Sequence, residues 1–165
     1  MDGNWIANKK MRELLDDVEA SLKKVSVEVN LFQLHKLLFP HFQCVKDCII
    51  ISNHSPEKLE ASFENAMRIY KDRTGYEACN TEIRINDYFV KSISVQTATA
   101  AALLAIECWS TVLKRLDPHS QFCFILSSNE ERVEVRFHKV RKGENKWLAE
   151  DIESYVDEAI GYMER

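Results

Sequence analysis

A chain of 165 residues is long enough to bury one hydrophobic core without disulfides or metals, so a single domain over residues 1–165 is expected. Its formal net charge of −4 disfavours a dedicated nucleic-acid-binding protein, because such proteins normally carry a basic surface. With only four Gly and three Pro, the composition predicts long regular elements and few long loops.

The compartment is predicted from the N-terminus and the cysteines. The chain starts with a charged amphipathic segment instead of an apolar signal core, and no apolar run approaches the roughly 18 residues of a membrane span. Five cysteines, an odd number, are typical of reduced thiols in a chain without a signal peptide. We therefore expect a soluble protein of the cytoplasm.

The first half of the chain predicts helices around one strand. Apolar residues at steps of three and four predict a first amphipathic helix through Met11, Leu14, Leu15, Val18, Leu22 and Val25. Asn30 and Gln33 resemble a capping box for a short helix over 31–39. The apolar run at 45–52 predicts a buried strand.

A further helix is predicted to begin at Ser55-Pro56-Glu57, which combines a capping hydroxyl, a proline at the first helical position and an acid near the helix dipole. Its predicted end is Gly75. The buried stripe of this helix consists of Leu59, Phe63, Ala66, Met67 and Tyr70.

The second half predicts most of the sheet. Alternation at 81–86 indicates a half-exposed strand, and an alanine-rich helix is predicted from about 95 to 116. Strands at 121–127 and 132–140 predict a hairpin, and a last helix is predicted from 147 to about 163.

These elements predict an α+β fold, with a sheet of about four strands that is at least partly antiparallel and helices packed mainly on one face. Two strands alternate too cleanly to be buried on both faces, so the other face of the sheet is expected to be open. That face would carry Glu82, Arg84, Arg132, Glu134, Arg136 and His138.

Charged and aromatic residues concentrate between 136 and 147. Arg136 and His138 share one face of a predicted strand, and Arg141 lies just past its end. Two guanidiniums and an imidazole are suited to clamping a phosphate or carboxylate.

The same stretch also has a purely structural interpretation. Arg136 would pair across the sheet with Glu82 or Glu134. Trp147 would anchor the last helix, and Glu144 would favour its N-terminus.

Catalytic and cofactor motifs are missing from the sequence. Cys44 and Cys48, flanked by His41 and His54, have a spacing within reach of zinc ligands but lack a second Cys/His pair, so no metal is expected. The sequence contains no glycine-rich phosphate loop, HExxH or GxSxG, and we expect no cofactor and no catalytic residues.

The predicted last helix is acidic. From Glu144 to Arg165 there are seven acidic and two basic residues, a net charge of −5. Such a surface suits a basic protein partner, because complementary charge speeds association. The candidate partner-binding residues are Glu150, Asp151, Glu153, Asp157 and Glu158.

Three stretches together resemble small bacterial immunity proteins of polymorphic or contact-dependent toxin systems. They are Tyr-x5-Glu-Ile-Arg-Ile-Asn-Asp-Tyr-Phe at 76–89, Phe-Cys-Phe-Ile-Leu-Ser-Ser at 122–128, and Val-x-Val-Arg-Phe-His-Lys-Val-Arg-x-x-Glu-x-x-Trp-Leu at 133–148. The resemblance covers roughly 76–163. Within it, the family-like motif comprises Arg136, Phe137, His138, Arg141, Glu144 and Trp147.

This resemblance implies a cytoplasmic antitoxin that occludes a cognate toxin domain, such as a basic nuclease, without turnover and therefore not as an enzyme. Two alternatives stay open: a small anionic-ligand-binding domain or enzyme that uses Arg136, His138 and Arg141, and a secretion chaperone for an effector. No direct nucleic-acid or membrane partner is expected, and both a monomer and a dimer remain open.

Overall fold

The computed structural model describes residues 4–21, 27–69, 71–129 and 131–165. Within these ranges the strands and helices are β1 (Ile6–Ala7), α1 (Lys9–Ser21), α2 (Leu31–Leu38), β2 (Phe42–Val45), β3 (Cys48–Ile51), α3 (Pro56–Ile69), α4 (Arg73–Asn80), β4 (Ile83–Arg84), α5 (Val95–Leu116), β5 (Phe122–Ser128), β6 (Val133–Lys139) and β7 (Ala159–Glu164). Two short 3-10 helices span Ile85–Tyr88 and Ile152–Ser154. The predicted positions Leu22, Val25 and Tyr70 lie outside the described residues.

The predicted α+β class is confirmed, and the described residues form a main sheet of five strands instead of about four. Their order is β1-β7-β5-β6-β4, and each neighbouring pair is antiparallel. Strands β2 and β3 form a separate antiparallel hairpin. Helices α1 and α5 cover the inner face of the main sheet, and in the described ranges no helix has the length and apolarity to cross a membrane.

The core between sheet and helices is centred on Phe137 of β6. Its ring centroid lies 5.9–6.1 Å from those of four other aromatic residues, Phe42, Trp109, Phe122 and Phe124. Offset and edge-to-face contacts at this spacing add to the burial of apolar area. Phe137 of the family-like motif is therefore a core residue.

Helix α5 confirms the alanine-rich prediction over 95–116. Ala98, Ala102 and Ala105 are fully buried, and small side chains on one face allow close packing. Farther along the helix, the indole nitrogen of Trp109 donates a hydrogen bond to the Leu37 carbonyl oxygen at 2.8 Å. Carbonyl groups in the last turn of a helix have no intrahelical N–H donor, so this bond satisfies the Leu37 carbonyl near the end of α2.

The prediction of a helix over 147–163 was wrong, because its end is strand β7. Ala159 and Met163 face the core, whereas Tyr162 points to the other side, so the segment has the alternation of a strand. Gly161 permits close pairing with β1, since a Cβ there would lie 3.0 Å from the Cβ of Ala7. The apolar residues at 148, 152, 155, 156, 159 and 163 also fit a helical period, which is why the spacing misled.

Three shorter elements also differ from prediction. The run at 45–52 belongs to a hairpin, which turns at Lys46 with a positive φ of 55°. The strand predicted at 81–86 is limited to β4, because the Asn86 side chain accepts the next hydrogen bond, from the Val133 backbone at 2.9 Å. Helix α4 was not predicted, and Gly75 lies inside it instead of ending α3.

Two predicted helix starts are confirmed. The side chain of Asn30 accepts hydrogen bonds from the backbone nitrogens of Phe32 and Gln33, and α2 begins at the next residue, Leu31. Helix α3 begins at Pro56.

Candidate functional site

The outer face of the main sheet is largely covered, contrary to the prediction of an open face. Residues 140–158 fold back over it as an irregular segment, and a second apolar cluster fills the space beneath. Its members are Cys123, Ile125, Ile160 and Tyr162 from the sheet, with Val140, Leu148, Ile152 and Tyr155 from the covering segment. His138, predicted to be open, is only 2% exposed.

Burial beneath this segment determines the chemistry of His138. Its Nδ1 lies 3.1 Å from the Lys139 carbonyl oxygen, and its Nε2 has no hydrogen-bond partner among the described residues. Burial lowers the pKa of His138 below its ordinary value, and contact with that carbonyl offsets only part of the effect.

We call residues 147–158 the acidic segment, and one buried side chain fixes its C-terminal part. Asn8 donates from Nδ2 to the carbonyl oxygens of Tyr155, at 3.0 Å, and Glu158, at 2.8 Å. Its Oδ1 accepts from the backbone nitrogens of Met11 and Ile160 at 3.0 and 3.1 Å. Asn8 thereby ties this irregular backbone to α1 and β7.

Two local bonds fix the rest of the acidic segment. The Tyr155 hydroxyl accepts from the Ala149 backbone nitrogen at 3.0 Å. Asp151 caps the 3-10 helix by accepting from the Glu153 backbone nitrogen at 3.1 Å. Contacts within the segment and with Asn8 therefore hold its backbone in place.

The acidic segment directs its charges outward. It contains five acids and no Lys or Arg, a net charge of −5. Glu150, Asp151, Glu153 and Asp157 are exposed and Glu158 is half-buried, while Val156 between them is 69% exposed. The five predicted partner-binding residues thus share one short segment, but on a folded-back loop instead of a helix.

Two of these acids interact with the body of the protein. Glu153 accepts from the Lys9 backbone nitrogen at 3.1 Å and pairs with Arg12 at 2.9 Å, and these contacts lower its pKa. Burial and the nearby Glu134 raise the pKa of Glu158. In contrast, the side chains of Glu150 and Asp157 make no ion pair or hydrogen bond with the described residues.

The uncovered part of the outer face is a ladder of ion pairs. Arg136 pairs with Glu82 at 2.7 Å and lies 3.7 Å from Glu134, as the structural interpretation predicted. Glu134 also contacts Arg84 at 3.3 Å and Arg132 at 3.6 Å. These charges are therefore largely matched across the strands.

Arg141 is held by a buried carboxylate. Its two terminal nitrogens donate to the two oxygens of Glu77 at 2.7 and 3.0 Å, and one also donates to the Asp47 carbonyl oxygen at 3.1 Å. Burial by itself would lower the pKa of Arg141, but the bonds to Glu77 outweigh it and raise the pKa. The guanidinium therefore has its hydrogen-bond partners inside the protein and is not directed at solvent.

Glu144 continues this network. It accepts from Arg73 Nε at 2.7 Å and from the Thr74 hydroxyl at 2.9 Å. Arg73 in turn donates to Asp47 at 2.9 Å. Together with the pair of Arg141, these bonds join the β2–β3 turn, the start of α4 and the chain after β6.

The candidate anion clamp is therefore not favoured by the geometry. Arg136 and Arg141 contact different carboxylates, and His138 is buried between strand and covering segment. The motif that the sequence singled out holds the fold together, as a scaffold would.

Two of the five cysteines, Cys48 and Cys123, likewise behave as packing residues. Burial raises the pKa values of Cys48 and Cys123 to about 12, so both thiols stay protonated at neutral pH. Cys44 lies exposed on β2. No group of three or more His, Cys, Asp or Glu suited to a metal ion occurs in the described part of the chain.

Residues 6–165, from β1 to the last residue, match a family model. The chain belongs to the Uncharacterized protein PM0498 family. No curated protein and no solved structure shows significant similarity to it. The match includes every strand of the sheet, the Glu77–Arg141 pair and the acidic segment.

This PM0498-family protein also has a groove between α3 and α4, which the sequence did not predict. It encloses about 390 Å³, and the indole of Trp147 forms part of its wall. The other residues that line it are Ser62, Asn65, Ala66, Asp72, Gly75, Tyr76, Cys79 and Asn80. The sequence signal that could have predicted α4, one side of this groove, was Asp72. Its side chain caps α4 by accepting from the Gly75 backbone nitrogen at 2.9 Å.

Proposed function

We propose that this protein is a cytoplasmic immunity protein that binds a cognate toxin domain and occludes its active site. One observation carries the proposal: the acidic segment is fixed by buried contacts and yet presents four exposed carboxylates around an exposed valine. The resemblance of residues 76–163 to bacterial immunity proteins supports the same reading.

The proposed mechanism is steric and electrostatic. Carboxylates at 150, 151, 153 and 157 attract a basic surface, which raises the association rate and orients the encounter. Because Asn8 and Tyr155 already order the backbone, little conformational entropy is lost when the partner docks. Val156 then supplies an apolar contact at the centre of the charged rim.

The chemistry of the target follows from this surface. A toxin domain that grips phosphate groups, such as a nuclease, carries a basic cleft that fits five carboxylates. Inhibition would be stoichiometric, with no bond made or broken by this protein. The fold that carries this surface would be stabilised by Arg136, Phe137, His138 and Arg141.

Affinity capture from the source bacterium tests the proposal. The tagged protein is expected to retain one partner at a one-to-one ratio in low salt and to lose it in high salt, since screening weakens surface electrostatics. Expressed alone, the C-terminal domain of that partner should arrest growth, and co-expression with this protein should restore it. A partner without toxicity, or toxicity that co-expression leaves unchanged, would refute the proposal.

A matched pair of variants makes that assay specific. Glu150→Lys with Asp157→Lys reverses two acids that have no partners in the described structure, so the fold should persist. Asp17→Lys with Glu131→Lys makes the same charge change at exposed positions outside the acidic segment. Only the first pair is expected to lose protection against the toxin.

A further inference from the structure

The groove between α3 and α4 depends on the absence of a side chain at Gly75. A Cβ at this position would lie 3.1 Å from the Trp147 ring and 2.3 Å from Asp72 Oδ2. Glycine therefore lets an indole and a carboxylate approach the same stretch of α4 from two directions. The result is a groove with an aromatic wall and an acidic edge.

Two side-chain oxygens that line this groove are available to accept hydrogen bonds. Asp72 uses Oδ1 to cap α4, while Oδ2 accepts no hydrogen bond from the described residues. Asn80 donates from Nδ2 to the Tyr76 carbonyl oxygen at 2.8 Å, which leaves its amide oxygen as an acceptor.

We propose that this groove binds an arginine side chain of the protein partner. The apolar walls would take the methylene groups, and the Trp147 ring would stack on the planar guanidinium. Asp72 Oδ2 and the Asn80 amide oxygen would accept its N–H groups, with a charge-assisted bond at the carboxylate.

Charge and position select this occupant. An anion would meet the Asp72 carboxylate, and a lysine ammonium would gain less from a flat aromatic wall than a guanidinium does. Trp147 is also the first residue of the acidic segment, so the groove adjoins that segment at this residue. In naming a basic protein as the source of the arginine, the inference rests on the proposed function.

Titration with N-acetyl-arginine amide tests the groove without any partner. The indole N–H resonance of Trp147 is followed by NMR in ¹⁵N-labelled protein, with sodium chloride matched to keep ionic strength constant. A saturable shift at millimolar ligand is expected. Asp72→Asn should weaken binding roughly 2- to 5-fold, since the ion-pair contact of an exposed carboxylate contributes up to about 1 kcal/mol, while asparagine still caps the helix.

The control is Asp17→Asn, which removes an exposed acid that does not line the groove and should leave the affinity for N-acetyl-arginine amide unchanged. Three results would overturn the inference: no saturable shift of Trp147, equal affinity in the Asp72→Asn variant, or equally tight binding of N-acetyl-lysine amide.

The outcomes separate this inference from the proposed function. If the amide fails to bind but a toxin is captured and neutralised, the groove assignment is wrong and the immunity function stands. If the amide binds as expected and no toxin is found, the arginine site stands and the immunity function is wrong.

Discussion

Glu77 and Arg141 form a bidentate ion pair in the interior, with side chains 0% and 8% exposed. The Glu77 carboxylate also accepts the backbone N–H groups of Ile49 at 2.9 Å and Lys139 at 2.7 Å. One helical side chain thus bridges the β2–β3 hairpin and the C-terminal end of β6. Thr81, one turn later, extends the bridge by exchanging hydrogen bonds with the backbone of Phe137.

Removing only the carboxylate charge should destabilise the protein. Glu77→Gln leaves the Arg141 guanidinium buried beside a neutral amide, and we expect a loss of about 3–5 kcal/mol in the free energy of unfolding. The double variant Glu77→Leu with Arg141→Met should recover much of this loss, because no buried charge remains. Urea denaturation measures both. A double variant as unstable as the single one would show that the backbone bonds to Glu77, and not the charge pair, dominate.

Phe137 should be a major source of core stability. Phe137→Ala empties the centre of four aromatic contacts and is expected to cost about 3–5 kcal/mol, while Phe137→Leu should cost clearly less. Thermal denaturation with circular dichroism compares the two. A loss below about 1 kcal/mol for the alanine variant would contradict the scaffold role assigned to the family-like motif.

Stability should fall in mild acid because of His138. Its pKa in the folded protein lies below the ordinary 6.5, so the unfolded chain binds the proton more readily. The folded state therefore loses stability as the pH falls through about 6.5 towards the lower folded-state pKa. The charges of Glu77 and Glu164 would raise the pKa of His138 and that of Arg141 would lower it, but burial is the largest effect.

The comparison is between wild type and His138→Phe, each denatured with urea at about pH 7.5 and about pH 5.5. Wild type is expected to lose more stability than the variant between these two pH values. Each protein serves as its own reference, so a different baseline stability of the variant does not matter. An equal loss in both proteins would remove His138 as a source of the acid sensitivity.

The sequence alone could predict those elements whose signals are local. Helix α5 has its apolar period within its own 22 residues, and Asn30 caps α2 from the position directly before its first residue. In contrast, β7 becomes a strand because β5 and β1 pair with it on either side. No window around 159–164 contains that information.

The candidate site illustrates the same limit. Arg136 and His138 were assigned to one strand face from alternation alone, and this is how the structure places them. The pairing of Arg136 was predicted, but the environment of His138 could not be, because His138 is buried by a segment that folds back from residues 140–158. The partner of Arg141 lies 64 residues earlier, on a helix that the sequence reading had missed.

Val156 should matter for affinity more than an equally exposed valine elsewhere. It is 69% exposed within the acidic segment, and Val90 is 70% exposed outside it. Val156→Ser is expected to weaken binding of the captured partner roughly 5-fold or more, corresponding to about 1 kcal/mol of lost apolar contact, whereas Val90→Ser should not. Isothermal titration calorimetry measures both. Equal affinities for the two variants would exclude Val156 from the interface.

The central claim is that the acidic segment recognises a basic toxin domain, and the association rate tests it most directly. Stopped-flow kinetics with the captured toxin domain would compare wild type, the Glu150→Lys/Asp157→Lys variant and the Asp17→Lys/Glu131→Lys control at low ionic strength. We expect the first variant to associate at least ~10-fold more slowly than the control, although both carry the same net charge. Equal rates for the two variants would contradict recognition through this segment.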